Sequence, residues 1–273
     1  MALQAKSGRF WPRQAASIFW IYLQESIAYR AQAYIWVFTD VIGAAMMLLV
    51  FLSTGMASRI AGYTQQGIVL YYLSLMAVEG FVTCHMQWEI GQEIKDGALS
   101  TFLLRPFSWY TTLVLRNLSW RCMRLTMFLP VLALFVVSYW SIVRGAKVNV
   151  GPDFWISLLL GHGVSVSLVI AMSMIAFFVE DATAIFESYY LPMLFLSGQI
   201  FPIGMLPQWA QTVGKALPFY YTTALPAEIA SGRISGAAIG FGLGMQIVWM
   251  VIGYAAYRLV WPRALRRYSG TGM

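Results

Sequence analysis

The run Gln32–Thr54 carries a single charged residue, Asp40, in 23 positions, and five further apolar stretches follow it: Gly67–Trp88, Cys122–Val143, Phe154–Val179, Thr183–Ile200 and Gly236–Val260. A bilayer's hydrocarbon core is about 30 Å thick and holds no water for backbone amides. Only helices of roughly 20 apolar residues, or closed barrels, cross it. Six such stretches in 273 residues predict an all-α integral membrane protein, a single transmembrane domain over 1–273. Composition agrees: 11% of residues are charged and 59% hydrophobic, where a soluble domain carries roughly a quarter charged. Thr183–Ile200 is short and interrupted by Glu187 and Pro192, so five spans is the competing count.

Loop charge decides between six and five. Lys6, Arg9, Arg13 and Arg30 precede the first span, Lys95, Arg105, Arg116, Arg121 and Arg124 lie between the second and third, with Arg124 just inside the third, and Arg258, Arg263, Arg266 and Arg267 end the chain. On a six-span count these thirteen of the 18 basic residues share one side, against Arg59, Arg144, Lys147, Lys215 and Arg233. The positive-inside rule then puts both termini in the cytoplasm, which needs an even number of spans. The net charge of +7 is spread over loops rather than gathered on one face, so it predicts orientation and not nucleic-acid binding. No cleavable leader is expected from the Lys6–Arg13 start.

Residues for catalysis are not apparent. Cys84 and Cys122 offer neither a disulfide framework nor metal spacing. Gly214-Lys215 resembles the end of a phosphate loop, but Trp209 stands at the required first glycine and Ala216 at the required Ser/Thr. His85 and His162 fall in different spans and read as isolated polar packing or, alternatively, parts of a proton path. Hence no catalytic, metal or cofactor residue is assigned. Asp40 and Glu79 are intramembrane carboxylates. An Asp at a helix centre costs about 2.5–3.5 kcal/mol, against about 0.3–0.6 gained per Leu, Ile, Phe or Val. Insertion survives, but each charge must face protein or water. A polar pathway lining and an interhelical hydrogen bond are both open for them. Gly236, Gly240 and Gly244 form a small-residue stripe expected to let another helix of the same subunit approach, a seam between copies being the alternative.

Three segments outside the spans have character. Residues 1–31 include Ile18, Phe19, Tyr22, Leu23 and Ile27 at helical spacing, suited to an interfacial helix. Residues 201–235 carry Pro207 and Pro226 where helices begin and Gly232 where one stops, predicting two short re-entrant helices separated at Leu217-Pro218. Within 89–110, Ile90 and Ile94 sit four apart among Glu89, Glu93, Lys95 and Asp96, a short amphipathic helix that Gly97 can end. Leu99, Phe102, Leu103 and Leu104 form a second apolar patch closed by Arg105-Pro106. A structured insert of this kind suits a docking surface, or a helix anchored on lipid.

The stretch "EIKDGALSTFLLRPFSW" resembles the cytoplasmic loop of permease subunits of ATP-binding-cassette exporters of the type-2 export class. "FLSGQIFPIGMLPQWAQTVGKALPFYYTTALP" is similar to the extracellular segment of the same family, and "ALRRYSGTG" to a tail found in one branch of it. The resemblance implies six transmembrane helices, an N-terminal interfacial helix, a cytoplasmic coupling helix and extracellular re-entrant helices. It implies a second permease subunit, identical or paralogous, and separate ABC ATPase subunits that hold the ATP and Mg2+. Carried over by position, Glu93, Lys95, Gly97 and Arg105 would couple to the ATPase. Such chains sit among the lipids of a cell membrane, here a bacterial inner membrane. The substrate is not legible. A channel or lipid-modifying enzyme outside this family is the alternative reading.

Overall fold

The computed structural model describes residues 12–54 and 62–269, all of it helices and connections. The charges at Lys6, Arg9 and Arg59 lie outside the described residues. The helices are α1 (Pro12–Ala28), α2 (Arg30–Thr54), α3 (Gln65–Val82), α4 (Gln87–Lys95), α5 (Leu99–Leu103), α6 (Trp109–Ser138), α7 (Trp140–Val143), α8 (Pro152–Ser173), α9 (Thr183–Leu196), α10 (Gln208–Ala216), α11 (Ala224–Ala230) and α12 (Ala237–Arg267). Single 3-10 turns follow α8 and flank α10. Local chemistry sets several boundaries. Thr64 caps α3 by accepting from the Gly67 amide at 3.0 Å, and Pro152 opens α8 behind Gly151.

Five helical stretches are long and apolar enough to cross a membrane, those of α2, α3, α6, α8 and α12. The fifth expected span is α9, with 14 residues, or about 21 Å at 1.5 Å per residue. Its first turns meet α4, where the Phe186 and Trp88 rings lie 6.3 Å apart. Its middle meets the 3-10 turn Pro218–Tyr221, where Tyr189 lies 5.4 Å from Phe219. Just beyond α9, the Gly198 and Ile200 carbonyls accept from Tyr71 and Tyr72 of α3, both at 2.8 Å. Thus α9 runs from the α4 end of the α3–α4 pair to the opposite end. The third span also differs from expectation. It starts at Trp109 rather than Cys122, so Arg116 and Arg121 join Arg124 in helix α6 and do not lie in a loop.

The bundle has two distinguishable ends. At one, Tyr268 beyond α12 accepts from the Ser100 amide of α5 at 3.1 Å, and Trp109 stacks 5.1 Å from Trp261. Helix α1 joins this end, where Ser119 of α6 donates to the Phe19 carbonyl at 2.9 Å. At the other, the Asn149 amide donates to the Ala230 carbonyl at 2.9 Å, and Gln66 Nε2 to the Ile142 carbonyl at 2.8 Å. Pro207 precedes α10, a 3-10 turn at Pro218–Tyr221 separates α10 from α11, and Gly232 follows α11 at φ +71°. The two short helices expected between 201 and 235 are therefore present.

Close helix approach rests on glycines other than the expected stripe. A Cβ on Gly253 of α12 would lie 2.8 Å from Ser167 Oγ of α8, and one on Gly242 would lie 2.7 Å from Leu225. Gly240 and Gly244 meet nothing within 4 Å, so the four-residue stripe faces away from the rest of the subunit. The period was right and its direction was not. Gln246 of α12 ties the same seam, donating to the Ser157 carbonyl at 2.9 Å and to the Tyr221 carbonyl at 2.8 Å.

This asymmetry is testable. Gly242→Leu is expected to destabilise the chain by about 1–3 kcal/mol through overpacking, while Gly240→Leu leaves it within about 0.5 kcal/mol. Thermal unfolding of the detergent-purified chain, followed by fluorescence or circular dichroism, distinguishes the two. Equal losses would mean that the stripe is buried after all.

Candidate functional site

Helix α4 is amphipathic in the way its sequence requires. Ile90 and Ile94 are fully buried, as is Leu99 beyond the turn, among Phe177, Phe186 and Met174. Gly97 takes φ +75°, the left-handed region that a residue with a Cβ resists, and this ends α4. The chain then rises through α5 to an exposed tip. Leu104 is 87% exposed, Arg105 and Pro106 are exposed, and the Arg105 guanidinium sits 4.8 Å above the Phe102 ring. The expected apolar patch of Leu99, Phe102, Leu103 and Leu104 is therefore split, with Leu99 buried, Phe102 and Leu103 half-buried and Leu104 exposed.

Of the four expected coupling residues, Lys95, Gly97 and Arg105 lie on this element with partly or fully open surroundings. Glu93 is different. It accepts from Arg116 of α6, fastening α4 to the third long helix, while Glu89 lies 3.9 Å from the same guanidinium. Lys95 borders a notch with Glu180 and Asp181 in the connection before α9. The Asp181 carboxyl is held below its ordinary range by hydrogen bonds from Thr183, whose amide donates to Oδ1 at 2.9 Å. Asp181 thereby caps the start of α9.

Deeper in the bundle, Asp40 of α2 pairs with Arg124 of α6, which also donates to the Trp36 carbonyl at 3.3 Å. Glu79 of α3 is 7% exposed and has no ion-pair partner among the described residues. Asp40 and Glu79 share a cavity of about 360 Å3 between α2, α3 and α9, together with His85, Tyr190 and Gln199. His85 stacks on Trp36 with centroids 5.7 Å apart, and His162 packs 5.1 Å from Phe81. Among the described residues no three His, Cys, Asp or Glu side chains gather as a metal site.

A cavity at membrane depth, two carboxylates in it, and an amphipathic hairpin at one end of the bundle form the geometry against which comparison is useful. Residues 38–272 match the model of the ABC-2 family transporter proteins. The chain belongs to that family. This ABC-2 protein is accordingly a polytopic all-helical membrane transporter protein, and α1 lies outside the matched region. No curated protein and no solved structure matches it. Three features of the site were not found from sequence. They are the Glu93–Arg116 pair, the Asp40–Arg124 pair and the burial of Arg121. Their only signal was the presence of three arginines at the foot of an apolar helix.

Removing one partner of a buried pair leaves a naked charge and costs about 3–5 kcal/mol, whereas removing both is far milder. Asp40→Ala is expected to lower the yield and thermal stability of the purified chain sharply. Asp40→Ala combined with Arg124→Leu is expected to recover at least half of the loss. A double change as unstable as the sum of the singles would show that the two side chains are not coupled.

Proposed function

We propose that the chain is the membrane-spanning subunit of an ATP-driven exporter, working with a second permease copy and separate ATPase subunits. The observation that carries this reading is the α4–α5 hairpin. One face is locked into the bundle by Ile90, Ile94, Leu99 and the Glu93–Arg116 pair, and the other presents exposed Leu104, Arg105 and Pro106 beyond the helix ends. A lipid anchor would need a broad apolar face and not a single leucine beside a cation. In this proposal Lys95 and Arg105 touch the ATPase, while Glu93 and Gly97 hold the hairpin in shape. ATP and Mg2+ are bound by the partner. The cavity holding Asp40 and Glu79 is the subunit's half of the pathway, completed by a homologous or identical copy across the exposed faces of α2 and α9.

Topology follows the same reading. Six crossings, with α9 as the fifth, put both described ends on the side of α4, which is the cytoplasmic side. The run of α9 from α4 to the residue-71 level of α3 supports a crossing despite its length. The segment 201–235 then lies outside, and the membrane is the cell membrane, of a bacterium on the resemblance.

Two measurements check this. In intact cells a cysteine placed at Thr212 is expected to react with an impermeant thiol reagent, and one at Ser269 is not. Labelling at Ser269 would remove the sixth crossing. Separately, Leu104→Asp and Arg105→Glu are expected to abolish pull-down of the ATPase, or to return its hydrolysis to the level of the isolated ATPase. Arg144→Glu at the opposite end, an exposed control, is expected to do neither. Hairpin variants that bind and hydrolyse like the control would end the coupling assignment.

A further inference from the structure

A second cavity, of about 170 Å3, lies between the α1–α2 corner, the start of α4 and the foot of α6. One water needs only about 10–15 Å3 of such space. Arg116, Arg121 and Arg124 of α6 all line it. Arg121 is 2% exposed and Arg124 1%. Glu93 pairs with Arg116 and Asp40 with Arg124, but Arg121 makes no ion pair or hydrogen bond among the described residues. Its Nε and Nη1 are buried without an acceptor, as are Arg124 Nε and both Nε and Nη2 of Arg116. The three arginines lining this space thus carry five buried guanidinium nitrogens without a hydrogen-bond acceptor, Arg116 Nη2 having only the Glu89 carboxylate at 3.9 Å. Two further acids line it, both exposed: Glu25, and Glu89 at 3.9 Å from Arg116.

Water could accept these hydrogen bonds but would leave the Arg121 charge uncompensated at membrane depth, which is strongly unfavourable. An oxyanion does both. Guanidinium groups match phosphate oxygens in pairs, and three of them around one space provide more donors than a carboxylate accepts. The surroundings indicate what carries the phosphate. On α1, Trp20, Ile21 and Ile27 are 59%, 62% and 49% exposed, and Tyr29 at the turn beyond it is 65% exposed, an apolar and aromatic surface suited to the headgroup level. Just beyond the corner, Tyr34, Ile35 and Phe38 of α2 are 60%, 67% and 67% exposed, an apolar track leading away from the cavity mouth. Basic pockets between membrane helices at this depth hold lipid headgroups.

We infer that this cavity seats the phosphate of a membrane lipid's headgroup, with Arg121 as its principal ligand, Arg116 and Arg124 flanking it, and the acyl chains lying along α2. The inference concerns binding and stands whether or not the chain works as an exporter.

The test uses the full chain purified in detergent and native mass spectrometry with three probes: phosphatidylglycerol, the phosphate-free diacylglycerol and inorganic phosphate. The native chain is expected to retain phosphatidylglycerol and not diacylglycerol, with millimolar inorganic phosphate displacing it. Arg121→Gln is expected to weaken retention about tenfold or more, as loss of a charge-assisted hydrogen-bond set implies. Arg121→Lys is expected to retain an intermediate amount. Because Arg121→Gln can disturb folding, Glu25→Gln supplies a gain: removing a negative charge from the mouth is expected to strengthen retention, which misfolding cannot mimic. Equal retention of diacylglycerol, or retention by Arg121→Gln equal to that of the native chain, overturns the site. No retained lipid, as for a cavity holding water only, also overturns it. Inorganic phosphate bound without phosphatidylglycerol overturns the lipid assignment.

Discussion

The Asp40–Arg124 ion pair is the contact on which half of this bundle depends. In hydrocarbon a charge must meet a partner, so this pair fixes which faces of α2 and α6 meet. The same helix then takes Glu93 of α4 through Arg116 and the backbone of α1 through Ser119. One helix thus gathers three others by polar contacts near its foot. The other half is built differently. There α8 and α12 close on each other where Gly253 leaves no Cβ, with Gln246 bridging to α8 and to the turn before α11. Lipid gives no hydrophobic drive between helices, so small residues and interhelical hydrogen bonds have to supply the association.

This division bears on how a push at the hairpin could travel. Helix α4 is held by Glu93 to α6 and by Ile90 and Ile94 against the α8 foot and Phe186 of α9. On the transport reading, a displacement of Leu104 and Arg105 is passed to these three helices together and not lost in a loose loop. One of them, α9, borders the cavity of Asp40 and Glu79 together with α2 and α3. An ATPase can favour one state only through contacts that differ between states. The Glu93–Arg116 pair and the Lys95 notch are the places where a small shift of α4 would change a charge contact.

Features encoded locally were legible in the sequence. The α4 helix, its stop at Gly97, and the two short helices between Pro207 and Gly232 follow from period, glycine and proline, all readable within a few residues. The ion pairs were not, since Glu93 and Arg116 are 23 residues apart and Asp40 and Arg124 are 84 apart. Hydropathy also misplaced the start of the third span. It treats Arg116 and Arg121 as loop residues, whereas paired or buried arginines can continue a helix. The glycine stripe failed for a further reason. Periodicity tells that small residues share a face, but only packing tells what that face meets, and Gly240 and Gly244 meet nothing in this subunit.

Moving those arginines into α6 weakens the charge count behind the orientation, because the positive-inside rule concerns charges free in short loops. Discounting Arg116, Arg121 and Arg124 leaves eight described basic residues on the α4 side, Lys95 among them, against Arg144, Lys147, Lys215 and Arg233 on the other. Arg13, Arg30, Arg105, Arg258, Arg263, Arg266 and Arg267 are exposed, with Arg105, Arg258 and Arg267 set over aromatic rings at 4.8, 6.0 and 5.5 Å. On the opposite side Arg233 lies 3.5 Å above the Tyr63 ring and is partly occupied there, so that count is also reduced. The orientation therefore rests on the exposed tails and the hairpin. The arginines of α6 act on another scale, Arg116 and Arg124 joining helices through Glu93 and Asp40, and Arg121 buried between them without an ion pair among the described residues.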